Sequence, residues 1–337
     1  MKRAVVRGTL SFFAASALFL SCQKNAQKLY SVGIFQINDA PTLNEARKGF
    51  IQALLDSGLH DGANVRFVIR NAMGDVTEAQ RIAREFVGQR MDLIVALSTP
   101  CLQAALMAGP KAPVIFASVA NPHLLGVGKS AANHDPNITG VASTGPVKQT
   151  VSFIQEVLPK AKRIGTLWTP SELNSEYYLQ LLRERAAELG LEVVAVPVGN
   201  VNEVLLSAQM LLNNKIDVLF PISDNTINAS FETLGRLAEQ NGLPLFGGFP
   251  LFTRLGACAA LGWDFFEMGY KAGQIAVRIK SGEIPGRIPF QSMSKIRLHL
   301  NLAAAKKQGV EFSPQVIQRA DEVIGPEALP GGESGNQ

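Results

Sequence analysis

DVLFPISDN, residues 217–225, repeats the outline of DLIVALSTP, residues 92–100. Each segment begins with an aspartate, continues as a short apolar run and ends in a serine followed by polar residues. An apolar run of this length, bounded by turn-forming residues, is typical of a buried strand. The two segments therefore predict equivalent strands in two halves of the chain, each with polar side chains at its carboxyl end.

Strands of this kind alternate with segments of helical period along both halves. The first half gives LYSVGIF, VRFVIRNA, DLIVALS and VIFASV, and the second gives RIGTLW, LEVVAVPV and DVLFPIS. The helical segments carry apolar residues at i, i+3 and i+4, which is the stripe of a helix lying on a sheet. Alternating strands and helices predict parallel sheets covered on both faces. The sequence therefore predicts an α/β fold of two doubly wound parallel-sheet lobes.

The N-terminus is typical of an export signal. Three basic residues precede an apolar run over residues 10–20, which is too short to cross a bilayer, and Cys22 follows. We expect a lipoprotein signal peptide at 1–21, lipidation at Cys22 and an anchor linker over 22–28. The alternative is an ordinary signal that happens to end in a cysteine. The lipoprotein reading predicts an exported protein, anchored by lipid to the cell membrane.

The composition argues against several classes of function. The chain has 337 residues, of which 47% are hydrophobic and 18% charged, so it can bury large cores. Its formal charge of +4 falls to +1 without Lys2, Arg3 and Arg7, which removes the argument for a nucleic-acid partner. The four histidines lack metal-ligand spacing, and no catalytic motif stands out. We therefore expect no metal, no cofactor and no catalysis.

Two cysteines follow Cys22 in the chain, Cys101 and Cys258. They could form a disulfide in an oxidising compartment, but the sequence gives no geometry for such a pair. Two unpaired, buried thiols are the favoured alternative.

Polar side chains stand where several predicted strands end. They are Gln36, Ser98 with Thr99, Ser118, Thr169 and the cluster at 223–226. In doubly wound sheets, ligands bind beyond the carboxyl ends of the strands, where helix N-termini offer unpaired N–H groups. Two facing lobes would place these ends across one cleft that suits a small zwitterion, with Asp224 as the partner of an ammonium group. The alternative is that each residue only caps its own helix.

Several motifs resemble those of a known family, the bacterial ABC-transporter substrate-binding proteins related to tryptophan and other aromatic amino-acid binders. They are VGIFQ, ARKGFIQAL, IFASVANP, NITGVAS, LPKAKRIGTLWTPSELNS, PISDNTI and ALGWDFFEMGYKAGQIAVRI. The likeness runs roughly from Val32 to Ile324. Asn121 stands where that family usually has aspartate, and Trp168 where it usually has tyrosine. The family has a type I periplasmic-binding-protein fold.

The resemblance implies a monomer that captures a small amino-acid-like ligand between two lobes and delivers it to a membrane permease. Carried over by position, the ligand would meet Phe35, Gln36, Ser98, Thr99, Ser118, Trp168, Ser175, Asp224, Asn225 and Thr226. The family fold also implies two lobes joined by a three-strand hinge. Lobe 1 would comprise 29–143 with 250–284, and lobe 2 would comprise 144–249 with 287–323, before a disordered tail at 324–337.

Two other functions stay open at this level. One is an exported enzyme on a similar fold, with Asp224 or Glu172 as general acid or base and a small metabolite in the cleft. The other is a surface lipoprotein that binds another protein, which long exposed apolar or repeated surfaces would favour.

Overall fold

The computed structural model describes residues 28–325. The predicted signal peptide, Cys22, nearly all of the anchor linker and the tail beyond residue 325 lie outside these residues. Within the described range, none of the helices combines the length and the hydropathy that crossing a bilayer requires. Ile324, which the sequence assigned to the tail, is the last residue of a strand.

Lobe 1 is built on a six-stranded parallel sheet. Its strands lie in the order β13-β7-β4-β3-β1-β2 and are β1 (Tyr30–Gln36), β2 (Val65–Asn71), β3 (Leu93–Leu97), β4 (Val114–Val119), β7 (Ile138–Ala142) and β13 (Gln291–Ser292). Its helices are α1 (Pro41–Asp56), α2 (Val76–Gly88), α3 (Thr99–Ala108) and α9 (Phe265–Lys280). A short hairpin, β5 (Gly128–Ser130) with β6 (Asn133–His134), precedes β7.

The pleat of β1 explains why helices cover both faces of this sheet. Val32 and Ile34 point to one side, into the core shared with α1 and α9, whereas Phe35 points to the other. On that second side Phe35 meets Phe86 of α2 edge to face, with ring centroids 5.8 Å apart. Successive side chains of a strand point to opposite faces, so a strand that is apolar throughout needs helices on both.

Lobe 2 combines two smaller sheets. Strands β8 (Arg163–Trp168), β9 (Glu192–Pro197) and β10 (Val218–Leu219) form one, and β11 (Phe246–Gly247), β12 (Ala259–Gly262), β14 (Arg297–Asn301) and β15 (Glu322–Ile324) form the other. A parallel bridge between Leu219 and Leu245 links them. The helices are α4 (Val147–Val157), α5 (Leu173–Glu188), α6 (Val204–Asn213), α7 (Asn225–Ala229), α8 (Phe231–Asn241), α10 (Leu302–Lys307) and α11 (Pro314–Gln318).

The chain passes between the lobes three times. The first passage lies between β7 and α4, at 143–146, the second between β12 and α9, at 263–264, and the third between β13 and β14, at 293–296. The two doubly wound lobes and their three-strand hinge confirm the predicted fold class.

The structure corrects two of the expected lobe boundaries. Residues 250–262 were expected in lobe 1, but β12 pairs with β11 and β14 and so completes the sheet of lobe 2. Residues 287–292 were expected in lobe 2, but β13 pairs with β7 at the edge of the lobe 1 sheet. Apolar content predicts that such a segment is a strand but does not say which of two sheets it joins, since both offer unpaired edges.

Glycines bring α1 and α9 unusually close together on one face of lobe 1. A Cβ atom on Gly49 would stand 2.0 Å from the main-chain oxygen of Phe266, and one on Gly269 would stand 1.8 Å from that of Ala46. Neither distance is compatible with a side chain, so both positions require glycine. We call this contact the glycine seam.

Among residues 28–325, Cys101 and Cys258 are unpaired, and both are buried. Cys101 lies in α3 of lobe 1, and Cys258 immediately precedes β12 of lobe 2. The favoured alternative of two buried thiols is confirmed, and burial raises the pKa of each thiol to about 12.

Candidate ligand-binding site

A narrow polar cavity of about 10 Å³ lies between the two lobes. It is lined by Thr42, Leu43, Ser118, Ala120 and Phe265 of lobe 1, by Ser143 of the first passage, and by Asn174, Tyr178, Ser223, Asn225 and Asn228 of lobe 2. Lining residues therefore follow the carboxyl ends of β1, β4, β8 and β10, which is where doubly wound sheets bind ligands.

The lobe 1 wall includes the start of α1. This helix begins after Ala40 without a side-chain cap, and Pro41 occupies its first position. The N–H groups of Thr42 and Leu43 belong to the first turn, where the helix itself supplies no acceptor. Both residues line the cavity, so a 16-residue helix directs its partial positive charge into it. This wall suits a carboxylate.

The lobe 2 wall presents two amide oxygens without hydrogen-bond partners. They are Oδ1 of Asn174, near the start of α5, and Oδ1 of Asn228, in α7. Both side chains are buried, with exposed fractions of 5% and 4%. A buried carbonyl oxygen without a donor costs about 1–3 kcal/mol. These atoms therefore mark the place where a ligand can supply N–H groups.

Glu172 holds two of the cavity residues in place. Its Oε2 accepts hydrogen bonds from Nδ2 of Asn174 at 2.9 Å and from Nδ2 of Asn225 at 2.6 Å. Its Oε1 accepts from the Thr226 hydroxyl at 3.1 Å. The Oδ1 of the same Asn174 amide is buried and accepts no hydrogen bond within residues 28–325. Glu172 thus fixes the orientation of the Asn174 amide.

Asp224 is turned toward its own helix and the neighbouring strand end. Its Oδ1 accepts from the N–H of Ile227 at 2.9 Å, which caps α7, and its Oδ2 accepts from the N–H of Thr169 at 3.0 Å. The side chain is fully buried and does not line the cavity. In this structure Asp224 therefore caps α7, and its direct contact with an ammonium group stays a prediction.

Of the ten residues expected to contact a ligand, Ser118 and Asn225 line the cavity. Ser118 has an unusual backbone conformation, with φ of 59°, at the end of β4. Asn225 opens α7, and its main-chain oxygen accepts a 2.8 Å hydrogen bond from Nδ2 of Asn38 in lobe 1. That bond joins the two walls of the cleft.

The other expected lobe 1 residues lie behind the wall. Phe35 packs in the core against α2, and Gln36 donates to the main-chain oxygen of Asn38 at 2.7 Å. Ser98 caps α3 through the N–H of Cys101. Thr99 accepts from the N–H of Ala120, which is itself a lining residue. These side chains support the wall and are separated from the cavity by it.

The remaining expected residues of lobe 2 also lie outside the cavity. Trp168 packs against the core of its lobe, and the Ser175 hydroxyl accepts from the N–H of Thr169 at 2.8 Å. Thr226 donates its hydroxyl to Glu172. Asn121, one of the departures from the family pattern, caps a 3₁₀ turn through the N–H of His123.

A second, more open pocket adjoins the cavity and shares Thr42 and Phe265 with it. Its lining is rich in apolar and aromatic side chains, and the residues are Thr42, Glu45, Phe249, Pro250, Leu251, Arg254, Trp263, Asp264, Phe265, Phe266 and His299. Phe249 and Phe265 meet edge to face with centroids 4.5 Å apart. We call this the aromatic pocket. Its position beside the polar cavity allows one molecule to occupy both.

A fold of two lobes closed over a polar site defines a class, the type I periplasmic binding proteins. The chain belongs to the family of ABC transporter substrate binding proteins, whose model matches residues 31–324. It is 34% identical over 277 residues to the tyrosine-binding protein of Clostridioides difficile (strain R20291), an alignment that covers 82% of this chain and 80% of that protein. This family binds substrates for transporters, and the recognition made from the sequence motifs is confirmed.

Two solved structures are informative about the lobes. An ABC domain from Streptococcus pneumonia in complex with L-Trp has a TM-score of 0.83 and 26% identity, over 88% of this chain and 100% of that one. A substrate-binding protein with adhesive properties from Clostridium difficile, in its ligand-free, open structure, has a TM-score of 0.64 and 30% identity over the same shares. By TM-score, this chain is more similar in shape to the L-Trp complex than to the open structure, although its sequence identity to the open structure is higher.

Proposed function

We propose that this protein is the extracytoplasmic solute-binding component of an ABC importer, and that it captures an aromatic amino acid between its lobes for delivery to a membrane permease. The observation that carries the proposal is that the two walls of the cavity favour ligand groups of opposite charge. The uncapped start of α1 favours an anion on one wall, and the free oxygens of Asn174 and Asn228 favour a donor on the other. An α-amino acid presents both groups on one carbon.

The placement of the ligand follows from these preferences. Its carboxylate accepts from the N–H groups of Thr42 and Leu43, and its ammonium group donates to Asn174 and Asn228. Its side chain extends past Phe265 into the aromatic pocket, where Phe249 and Trp263 offer ring surfaces. The relatives named as a tyrosine-binding protein and as an L-Trp complex support a ring in that position.

Capture requires the lobes to separate and close again, because the residues that line the cavity come from both lobes. A ligand favours closure only through contacts that are better in the closed form than in the open one. Bonds to both walls at once meet this condition, since they exist only when the walls face each other. We propose that the permease recognises this closed form, and that Cys22 carries the lipid that keeps the monomer at the membrane.

The alternative of an enzyme has less support from the site. The two carboxylates that could act as general acid or base, Glu172 and Asp224, do not line the cavity. Their oxygens accept hydrogen bonds from groups of the protein. A general acid or base must reach the proton that it transfers. Incubation of each bound compound with the protein, followed by mass spectrometry of the small molecules, tests this alternative. Turnover of a bound compound would revive it.

The experiment that tests the binding function is a thermal-shift screen of the mature chain against the amino acids, purines and short peptides. A ligand that binds the native state alone stabilises it by RT ln(1 + [L]/Kd), or about 2.7 kcal/mol at a hundredfold excess over Kd. We expect L-tyrosine, L-tryptophan or L-phenylalanine to give the largest rise in Tm. A response to purines or peptides, with none to any amino acid, would contradict the proposal.

A further inference from the structure

Two carboxylates are buried side by side behind the lobe 2 wall. Glu172 precedes α5 and has an exposed fraction of 6%, and Asp224 precedes α7 and is fully buried. Within residues 28–325, neither forms an ion pair with a lysine, arginine or histidine, and the groups that stabilise their charge are amides and hydroxyls. Desolvating a charge without an ionic partner is costly, so this pair is electrostatically incomplete.

The cavity contains a position from which a cation could offset the charge of the Glu172–Asp224 pair. Asn174 connects the pair to that position, because it lines the cavity and its Nδ2 donates to Glu172, while its buried Oδ1 has no hydrogen-bond partner within residues 28–325. Asn228, one turn of α7 beyond Asp224, adds a second unpartnered oxygen. A group with several N–H donors and a positive charge would satisfy both oxygens and offset the charge behind them.

We propose that Glu172 is a positioning residue that makes the cavity selective for ligands with a protonated amino group, and that capture of such a ligand expels a proton from the Glu172–Asp224 pair into solvent. This inference rests on the proposed function and adds to it both a charge requirement and a proton linkage. No covalent bond changes. The ligand stays an ammonium ion, one carboxyl of the pair becomes a carboxylate, and the buffer accepts the proton.

The direction of the linkage follows from burial. Burial, and then the negative charge of Asp224, raise the pKa of Glu172 to about 7 in the ligand-free protein, and burial raises the pKa of Asp224. A bound ammonium group favours the ionised pair and so lowers these pKa values again. Binding therefore releases protons below about pH 7, and affinity falls as the pH falls, by up to about tenfold per pH unit.

The proton release expected of the Glu172–Asp224 pair can be distinguished from the titration of other groups near the site. Burial raises the pKa of Cys101, which lies in α3 and faces Glu172, and that of Tyr178, which lines the cavity from α5, to about 12, so both stay neutral. Glu176 lies exposed on the first turn of α5. His299 lines the aromatic pocket, and burial lowers its pKa. A variant of Glu172 separates the pair from His299.

The test is isothermal titration calorimetry of the mature chain with L-tyrosine and L-tryptophan, in phosphate and in imidazole buffers from pH 6 to pH 8. The difference in heat between buffers gives the number of protons released. We expect about one proton at pH 6, about half a proton at pH 7 and close to none at pH 8. Binding with no proton release across this range would overturn the inference.

The variant Glu172→Gln and its control Glu176→Gln assign the proton. Gln keeps an oxygen for Asn174 and Asn225 but cannot release a proton, so release at pH 6 should fall by at least half in Glu172→Gln and stay unchanged in Glu176→Gln. Unchanged release in a folded Glu172→Gln would overturn the inference in favour of another group. If Glu172→Gln does not fold, the wild-type pH series still decides whether capture is coupled to proton release.

A deaminated probe tests selectivity for charge. 3-(4-Hydroxyphenyl)propionate keeps the ring and carboxylate of tyrosine but has no amino group. We expect it to bind the wild type at least about a hundredfold more weakly than L-tyrosine, and this ratio to shrink about tenfold in Glu172→Gln. Equal binding of both probes to the wild type would overturn the charge requirement and leave the proposed capture of aromatic acids intact. Failure of L-tyrosine and L-tryptophan to bind at any pH would overturn both.

Discussion

Asn38 and Asn225 join the two lobes directly, since the side-chain amide of Asn38 donates a 2.8 Å hydrogen bond to the main-chain oxygen of Asn225. Asn38 lies in the loop before α1, and its Oδ1 also accepts from the N–H of Ala40. Asn225 opens α7 and lines the cavity. The bond thus links the loop that leads into the proposed carboxylate site to the helix that carries Asn228.

Replacing Asn38 by aspartate should favour the open form. Asn38→Asp keeps the acceptor for Ala40 but sets an anionic oxygen against the Asn225 carbonyl, so we expect affinity for the ligand to fall by about tenfold or more. Small-angle scattering should show a larger radius of gyration at subsaturating ligand. Asn71→Asp is the matched control, because Asn71 accepts from the N–H of Met73 in the same way but makes no bond between lobes. An unchanged affinity in Asn38→Asp would show that this bond does not contribute to closure.

Removing either free amide oxygen should weaken binding. We expect Asn174→Ala and Asn228→Ala each to lower affinity by about tenfold to a hundredfold, because a hydrogen bond to a charged group contributes about 1.5–3 kcal/mol. Calorimetry measures the loss. Asn202→Ala, at an exposed position in the same lobe, should leave affinity unchanged. If the first two variants bind as tightly as the wild type, the ammonium site has been placed wrongly.

Asp224 should contribute mainly to stability. Asp224→Ala leaves the N–H of Ile227 without its acceptor and removes one of the two acceptors of the Thr169 N–H, so we expect it to lower the free energy of unfolding by about 1–3 kcal/mol. Denaturant titration gives this value. The control is Asp75→Ala, which removes the exposed cap of α2, should cost about 1 kcal/mol and should leave affinity unchanged. Lost binding in Asp224→Ala with unchanged stability would restore the direct contact expected from the sequence.

The ligand-free protein should become more stable as the pH falls from about 7 to about 5. Burial raises the folded-state pKa of Glu172 to about 7 from its ordinary value of 4.5, so the folded protein binds more protons than the unfolded chain between these values, and its free energy of unfolding decreases as the pH rises. Thermal denaturation across this range measures the slope. We expect the slope to flatten in Glu172→Gln and to persist in Glu176→Gln. A wild-type Tm that rises with pH from 5 to 7 would contradict the assignment.

The fold could be predicted from the sequence because its signals are local. Strand-length apolar runs, helical stripes and the repeated DLIVALSTP and DVLFPISDN segments each report on a few neighbouring residues. Which sheet a strand joins is not a local property. The assignment of β12 and β13 therefore depended on pairing partners far away in the chain, with Leu298 and Leu300 of β14 in one case and Val141 in the other.

The sequence predicted polar side chains at the carboxyl ends of the strands, but it could not predict which groups these side chains would bond. Ser98 and Asp224 lie at strand ends, as expected, yet the side chain of each caps the helix that follows it. A polar residue at such a place can serve the helix or the ligand, and the sequence does not say which. The sequence analysis did not name Asn174 and Asn228, which line the cavity, because they lie inside the helices that follow the strands. The available signal was the three-residue spacing of Asn225 and Asn228, which puts both on one face of α7.

The glycine seam couples α1 to the hinge through α9. The second passage, at 263–264, runs straight into α9, and α9 touches α1 so closely at Gly49 and Gly269 that neither helix can slide past the other. A small rotation about that passage would therefore move α1 and α9 together. It would carry the start of α1 away from the lobe 2 wall of the cavity and separate Asn38 from Asn225.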